Sequence, residues 1–437
     1  MRLAAITILL IVWGVPSGAP LRASPPLRPA LSDSLDLLRD LRGAQSAFER
    51  FRRFRAPWGA GSGGRCDERV GRFCYWYDAP VSPLPEEPPV IVAERRRLLD
   101  QLAEGARALP GDDWIAGQRV RYLVEAREWS EAAEAASTCA GTAWWCAALR
   151  GYAAHGAGDT PRAEAEFELA LGGMPMEERC RWNDLEPWLE GEERGRWKRL
   201  GCEERAPMAE RYWRLSRPLL GWPGNDLRTE FLARRVQAAM MTDAANAHRL
   251  RFGDDYAEMI QRYGWAVRWT RSDAGFTTRE PSIAGHEPRP GYALGAGEWW
   301  AEATPPHWDL EPHRPRFRYA PVWAAGGTRP LQEVQVARFR RGDSTLVAAA
   351  WSVLSDTAFT PSHTEASRGV ITADLTILAA RTMGTGPAGG LMVTAPGPVQ
   401  VLGVEVRDTS TRSVRWMRQA VVDSGNRTLS GPPLLPP

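Results

Sequence analysis

The fold turns on residues 211–272, RYWRLSRPLLGWPGNDLRTEFLARRVQAAMMTDAANAHRLRFGDDYAEMIQRYGWAVRWTRS. Pro223-Gly224-Asn225-Asp226 is turn chemistry followed by a helix start, because proline fixes φ, glycine frees it, and Asn or Asp accepts the orphan N–H groups of the first turn. Leu227, Phe231, Leu232, Val236, Ala239 and Met240 then recur at helical spacing. A second start falls at Asp255-Tyr256-Ala257-Glu258, where Asp255 and Glu258 have capping-box spacing. Tyr256, Met259, Ile260 and Tyr263 make one apolar face, and Gly264 stands where a glycine ends a helix. The stretch predicts two helices separated by a polar connection.

Within it, Phe252-Gly253-Asp254-Asp255 is followed by Arg262-Tyr263-Gly264 and then Trp265. This resembles the GWxTD region of bacterial secreted proteins, in which a Trp-x-Thr-Asp run precedes an Arg-Tyr-Gly by the same interval. Phe252 stands where that family has Trp, Asp254 where it has Thr, and Trp265 where proline usually follows. The resemblance implies an exported bacterial protein; the family has no reaction to lend.

Working outward, 437 residues suffice for several cores, and 43% hydrophobic and 25% charged residues are ordinary for globular protein. The formal charge of +2 gives no electrostatic case for nucleic acid or anionic membrane as partner. Met1-Arg2-Leu3 and the apolar run AAITILLIVWGV predict a signal peptide over residues 1–23, cleaved after Ala19 or Ala23. No later run approaches the ~18 apolar residues of a membrane span, so no transmembrane segment is expected after signal removal. Periplasmic or extracellular placement follows.

Six cysteines suit that compartment. Sequence-local pairing, Cys66 with Cys74, Cys139 with Cys146 and Cys180 with Cys202, is one choice among many connectivities. The close Cys-x-x-Cys or Cys/His spacing of a metal site is absent.

Residues 24–88 combine an amphipathic helix from Leu31 to Phe54, with Leu35, Leu38, Leu41 and Phe48 among its apolar positions, and a Pro/Gly-rich loop over 56–88 stapled by Cys66–Cys74 around Phe73, Tyr75, Trp76 and Tyr77. Residues 89–200 are helical with a weak internal repeat. Gly151, Ala163, Phe167, Ala170 and Pro175 are similar to the later consensus positions of a tetratricopeptide repeat, and Trp129, Ala132, Ala133 and Ala136 form a partial earlier copy. Such repeats stack into concave surfaces that hold peptides or proteins; a plain helical bundle is the competing reading. The central helical segment spans 201–272, and residues 273–330 are a Pro/Trp-rich connection.

From 331 to 437 the pattern is β, ending in a disordered tail. Val334 and Val336 alternate with polar neighbours, Arg341-Gly342-Asp343-Ser344 makes a turn, and Thr345 to Val353 returns. Leu375 to Leu378, Leu391 to Val393, Val399 to Val406 and Arg412 to Val422 continue the series, arguing for an antiparallel sandwich. The expected class is therefore α+β and multi-domain: an N-terminal helical, tetratricopeptide-like region, a central helical segment and a C-terminal antiparallel β-sandwich.

Chemistry is sparse. His307-Trp308-Asp309-Leu310-Glu311-Pro312-His313 gathers four possible ligands, but without a helical His-Glu-x-x-His frame and with prolines that favour an extended chain. There is no Gly-x-Ser-x-Gly elbow, and Gly342-Asp343-Ser344 is accounted for as a hairpin turn. Gly384, Gly386, Gly389 and Gly390 do not follow a strand and open a helix, as phosphate binding would require. Asp254, Asp255 and Glu258 could be paired carboxylates for glycoside hydrolysis; capping explains them more simply. Twenty tryptophans include Trp144-Trp145 and Trp299-Trp300, where one ring of a pair could face out and stack on sugar or partner. No catalytic, cofactor or metal residue is assigned. The expectation is a non-catalytic binding or scaffolding protein with another exported or envelope protein as partner. The alternatives are a secreted hydrolase acting on glycan or peptide, and a carbohydrate-binding sandwich.

Overall fold

A computed structural model describes residues 31–59, 68–75, 84–189, 191–216, 224–272, 281–286, 328–372, 377–382, 388–396, 399–411 and 413–420. The chain is mixed: eleven α-helices and a set of small, mostly antiparallel sheets among these residues. Cys66, Trp76, Tyr77, Trp299, Trp300, the His307–His313 cluster, Gly384 and Gly386 lie outside them, as do residues 1–23, expected as a signal peptide, and the expected tail.

The first long helix, α1 (Leu31–Arg55), is followed by a hairpin of β1 (Glu68–Val70) and β2 (Phe73–Tyr75). Helices α2 (Pro89–Ala108), α3 (Asp113–Glu125), α4 (Trp129–Ser137), α5 (Ala143–Ala157) and α6 (Thr160–Gly173) come next, joined by short connections. Then follow α7 (Met176–Trp182), α8 (Gly191–Arg199), α9 (Cys202–Ser216), α10 (Asp226–Met241) and α11 (Asp254–Tyr263), and a second hairpin, β3 (Arg268–Ser272) with β4 (Ser282–His286).

Helix α10 is the axis of this region. It packs against α3, α5, α6, α9 and α11, and nearly every side is buried, as expected of a helix surrounded by others. Its start is as the sequence dictates. Gly224 has φ +80°, a Cβ there would lie 2.8 Å from Thr160 Cγ2, and Asn225 accepts a 3.1 Å hydrogen bond from the Arg228 amide. Leu227, Phe231, Leu232, Val236 and Met240 are buried; Ala239 is exposed instead, with Ala238 taking the inward place.

In α11 the expected face holds, with Tyr256, Ile260 and Tyr263 buried, and Gly264 closes the helix at φ 90°. The capping box does not form. Gly253 is the N-cap, Asp255 lies inside the first turn with its carboxylate engaged elsewhere, and Glu258 accepts from Arg262 Nε at 2.8 Å.

Close helix packing rests on small residues. A Cβ at Gly151 would come within 2.7 Å of the Phe167 ring, and Ala132, Ala136, Ala163 and Ala170 are buried in the same core. Two disulfides fix this region: Cys139–Cys146 ties the connection after α4 to α5 with Cα atoms 5.6 Å apart, and Cys180–Cys202 bridges α7 to α9 at 5.7 Å. Cys74 is disulfide-bonded as well. Helix α1 differs from expectation on one face. Leu35 is 56% exposed, and the buried stripe further along carries Leu41, Gln45, Phe48, Glu49, Arg52 and Arg53. Residues 68–75, expected as loop, pair as a hairpin, and 268–272 with 282–286 supply a second antiparallel pair where no strand was expected.

The C-terminal strands are β5 (Thr328–Pro330), β6 (Glu333–Arg341), β7 (Ser344–Ser352), β8 (Thr364–Thr372), β9 (Ile377–Thr382), β10 (Ala388–Pro396), β11 (Val399–Asp408) and β12 (Val414–Ala420). They form a three-stranded sheet ordered β10-β7-β6 and a five-stranded one ordered β5-β12-β11-β8-β9, antiparallel except for β5 beside β12. Gly342, at φ +59°, makes the β6–β7 turn with Asp343. Strand β7 alternates, with Val347, Ala349 and Trp351 inward, and these meet Leu402, Val404 and Val406 of β11 in one buried cluster. Gly389 and Gly390 are strand residues; at Gly389 a Cβ would meet the Trp351 ring at 2.6 Å, so the glycine makes room for the indole. Strand β8 was not expected from the sequence.

Candidate functional site

Three segments distant in sequence converge beside α10 and α11. The β1–β2 hairpin docks by Arg72, whose backbone N–H, Nε and Nη2 donate to the Asp255 carboxylate at 3.1, 2.7 and 2.7 Å. Its neighbour Phe73 lies 4.8 Å from the Tyr256 ring, which also meets Phe252 at 5.3 Å. His248, in the polar connection, sits among aromatic rings: 5.8 Å from Phe73, 5.8 Å from Tyr256 and 5.0 Å from Trp269. The β3–β4 hairpin is tied to the chain after α1, since Arg271 N–H donates to Pro57 O at 2.9 Å and Gly59 N–H donates to Arg271 O at 3.0 Å.

These pieces enclose a cavity of about 490 Å³. Phe73, His248, Tyr256, Trp265 and Trp269 supply its aromatic wall. Arg72, Arg121 and Arg271 also line it, and among the described residues no carboxylate does. Both the size and the mixture of rings with a few polar groups fall within the range of small-molecule sites.

The floor is rigid because a buried polar network fixes it. Glu49 of α1 accepts from Tyr122 Oη at 2.6 Å and from Arg121 Nη2 at 3.0 Å, and its carboxylate lies 3.4 Å from Arg52. Arg52 also pairs with Glu125, which Arg95 approaches at 3.3 Å. Gln45 clasps the connection after α10, donating to Ala245 O at 2.9 Å and accepting from Ala245 N–H at 2.9 Å, while Gln118 Nε2 donates to Met240 O at 2.7 Å. Buried charge is tolerated only when paired and hydrogen-bonded in this way.

Protonation states follow from these contacts. Hydrogen bonds from Arg72 hold the Asp255 carboxyl well below the usual carboxylate range. Burial pushes the Tyr122 phenol up. Burial alone would raise Glu125, but Arg52, Arg95 and Arg121 keep it below its ordinary value. Burial lowers the His248 imidazole to about 4, with the Arg53 charge acting in the same direction. At neutral pH the ring is therefore uncharged, as an aromatic surround requires.

The GWxTD-like residues are thus brought together as cavity wall and clamp. Asp255 anchors the hairpin, and Phe252 and Tyr256 stack. Arg262 pairs with Glu258 and Tyr263 is buried. Gly264 and Trp265 line the cavity, with Trp265 lying 5.4 Å from Tyr152. Asp254 is exposed and does not join them. The Trp144-Trp145 pair presents no free ring: Trp145 is buried with its N–H on Asp113 O, and Trp144 packs 5.8 Å from Trp182. Cys180–Cys202 borders a second cavity of about 770 Å³ with acidic and basic groups intermixed. Among the described residues no group of His, Cys, Asp or Glu side chains is placed to hold a metal ion.

Sequence reasoning missed Arg72, His248, Trp269 and Arg271. The alternation Val267-Arg268-Trp269-Thr270-Arg271 carried a strand signal, but nothing local announces that it meets the end of α1 and the chain after it, some 200 residues earlier. Comparison with known protein families, with curated proteins and with solved structures finds no match.

Proposed function

We propose that this chain is an exported, non-catalytic binding protein of the bacterial envelope or its exterior, with the aromatic cavity beside α11 as its ligand seat. The observation that carries the reading is the commitment of the cavity's ionisable neighbours. Asp255 is held by Arg72, Arg121 by Glu49, and His248 is kept neutral at a pKa of about 4. A general acid or base is most effective with a pKa near the working pH and a free line to substrate. These groups instead shape and close a cavity.

Export is supported by the leader-like N-terminus and by the disulfides Cys139–Cys146 and Cys180–Cys202, which suit an oxidising compartment. No helix among the described residues is long and apolar enough to cross a membrane. In this reading α3–α6 are two degenerate tetratricopeptide-like hairpins that meet a protein partner, supported by the close approach of Gly151 to Phe167. The C-terminal strands form a separate antiparallel sandwich, supported by the single core that both sheets feed. The clamp at Asp255 is the role we assign to the GWxTD-like motif.

The test is ligand-observed NMR of a small-molecule collection against the wild-type chain and against Ile283→Trp, which fills the cavity from β4 on the face of Trp269 and Arg271. Binders lost in the variant support the reading. A collection without binders, or binders indifferent to the substitution, would overturn it.

A further inference from the structure

We infer that the cavity beside α11 selects an organic anion with a flat aromatic or apolar body, its negative group held by Arg271; this rests on the binding reading above and names the ligand class for that same cavity.

The argument begins with charge. Three arginines line the cavity and, among the described residues, no carboxylate does. Two of the three are already answered: Arg72 by Asp255, and Arg121 by Glu49 from behind the wall. Arg271 differs. The described residues offer it no carboxylate; its Nη1 donates to Phe54 O at 2.6 Å, and its guanidinium lies 4.3 Å over the Trp58 ring. These contacts hold the group in place at the cavity edge without neutralising it. A cation pinned beside a wall of rings loses less freedom on meeting an anion than a mobile surface arginine would. The guanidinium fork suits a carboxylate, sulfonate or phosphate.

The rest of the wall sets the ligand's body. Trp269 and Arg271, two apart on β3, share a face of the strand, so a bound anion at Arg271 places its remainder against the indole. His248 lies 5.0 Å from that indole, Phe73 and Tyr256 gather around His248, and Met259, Ile260 and Ile283 add aliphatic surface. Rings of this kind hold a planar or apolar body by stacking and burial. A neutral His248 adds no charge that would compete for the anion.

The probe pair for the test is anilinonaphthalene sulfonate and its uncharged parent, phenylnaphthylamine, which share one aromatic body and differ by the anion. Fluorescence titration of the folded wild-type chain should show the sulfonate binding about tenfold more tightly or better, as one favourable charge contact of ordinary strength gives. Arg271→Gln should bring the sulfonate down to the affinity of the parent and leave the parent unchanged, with Arg271→Lys restoring part of the preference. Ile283→Trp, on the face shared by Trp269 and Arg271, should remove both probes. Binding of neither probe to wild type sinks the binding reading itself. Equal binding of the two leaves that reading standing and overturns the anion assignment, as does a preference that survives in Arg271→Gln or sulfonate binding that persists in Ile283→Trp. Should Arg271→Gln not fold, the salt dependence in wild type decides: a preference that shrinks as salt rises supports the assignment, and one indifferent to salt overturns it.

Discussion

Arg72 and Asp255, 183 residues apart, share three hydrogen bonds, one from a backbone N–H and two from the guanidinium. The turn that presents Arg72 depends on Gly71, which has φ +52° and sits so close to Asp255 that any Cβ would collide with it. Gly71→Ala therefore meets both a left-handed backbone and a steric clash. The expected loss is about 1–2 kcal/mol, concentrated in the hairpin. Hydrogen exchange checks it: the Arg72 amide, which donates to Asp255, should lose protection while α10 amides keep theirs. Unchanged protection at Arg72 would mean that the hairpin is held by its other contacts.

Acid should loosen the same corner. The folded-state pKa of His248, about 4, lies below the ordinary 6.5, so the unfolded chain binds the proton more readily. The stabilisation is complete above the unfolded value and declines as pH falls from about 6.5 towards 4. The decline is on the order of 2 kcal/mol once the part of the ring that faces the cavity is allowed for. Urea midpoints should fall between pH 7 and pH 4.5, and His248→Phe should remove much of that slope. Burial lowers His286 in the same sense, so some slope should remain. A variant with the full wild-type slope would place the acid sensitivity elsewhere.

The network beneath the cavity makes a sharper claim about stability. Glu49, Arg52 and Arg121 have almost no exposed side-chain surface. Removing Glu49 strands Arg121 and the Tyr122 hydroxyl in a dry environment. Glu49→Leu should cost about 3–5 kcal/mol. Replacing both members, Glu49→Leu with Arg121→Met, should cost less than the single change, since no unpaired guanidinium is then left behind. Urea denaturation of the three proteins measures both figures. A double variant worse than Glu49→Leu alone would show that the pair contributes net stability, contrary to this expectation.

How far the sequence foretold this molecule depends on the reach of each contact. Gly224-Asn225-Asp226 announced α10, Gly264 ended α11, and Gly342-Asp343 turned β6 into β7, because each signal acts within a few residues. The buried stripe of α1 was illegible for the opposite reason. Gln45, Glu49 and Arg52 are polar residues that can be buried only because α3 supplies their partners. Asp255 shows the same effect inside a motif: its spacing to Glu258 suggested a cap, and Arg72 on a remote hairpin outcompeted it. Strands of three residues, such as β1 and β2, are too short to show a period at all. The cavity inherits all three difficulties, since its walls are tertiary.

Two helical glycines should respond in opposite directions to the same substitution. In a helix interior Gly→Ala gains about 1 kcal/mol from backbone entropy where there is room. Gly195 in α8 has such room: the nearest atom to an added Cβ is the flexible Arg199 Nη1, at 3.7 Å. Gly195→Ala should therefore raise the urea midpoint. Gly151 in α5 has none, because the Phe167 ring lies 2.7 Å from the same point and is itself fully buried. Overpacking there costs about 1–3 kcal/mol, which outweighs the entropy gain, so Gly151→Ala should lower the midpoint, a net stability loss of about 1 kcal/mol. Adding Phe167→Leu to Gly151→Ala should give back part of what that substitution loses, since the smaller side chain can move away from the new methyl group. Two midpoints shifted upward together would show that α5 and α6 are not pressed together at Gly151, and the support that this contact lends to a tetratricopeptide-like hairpin would go with it.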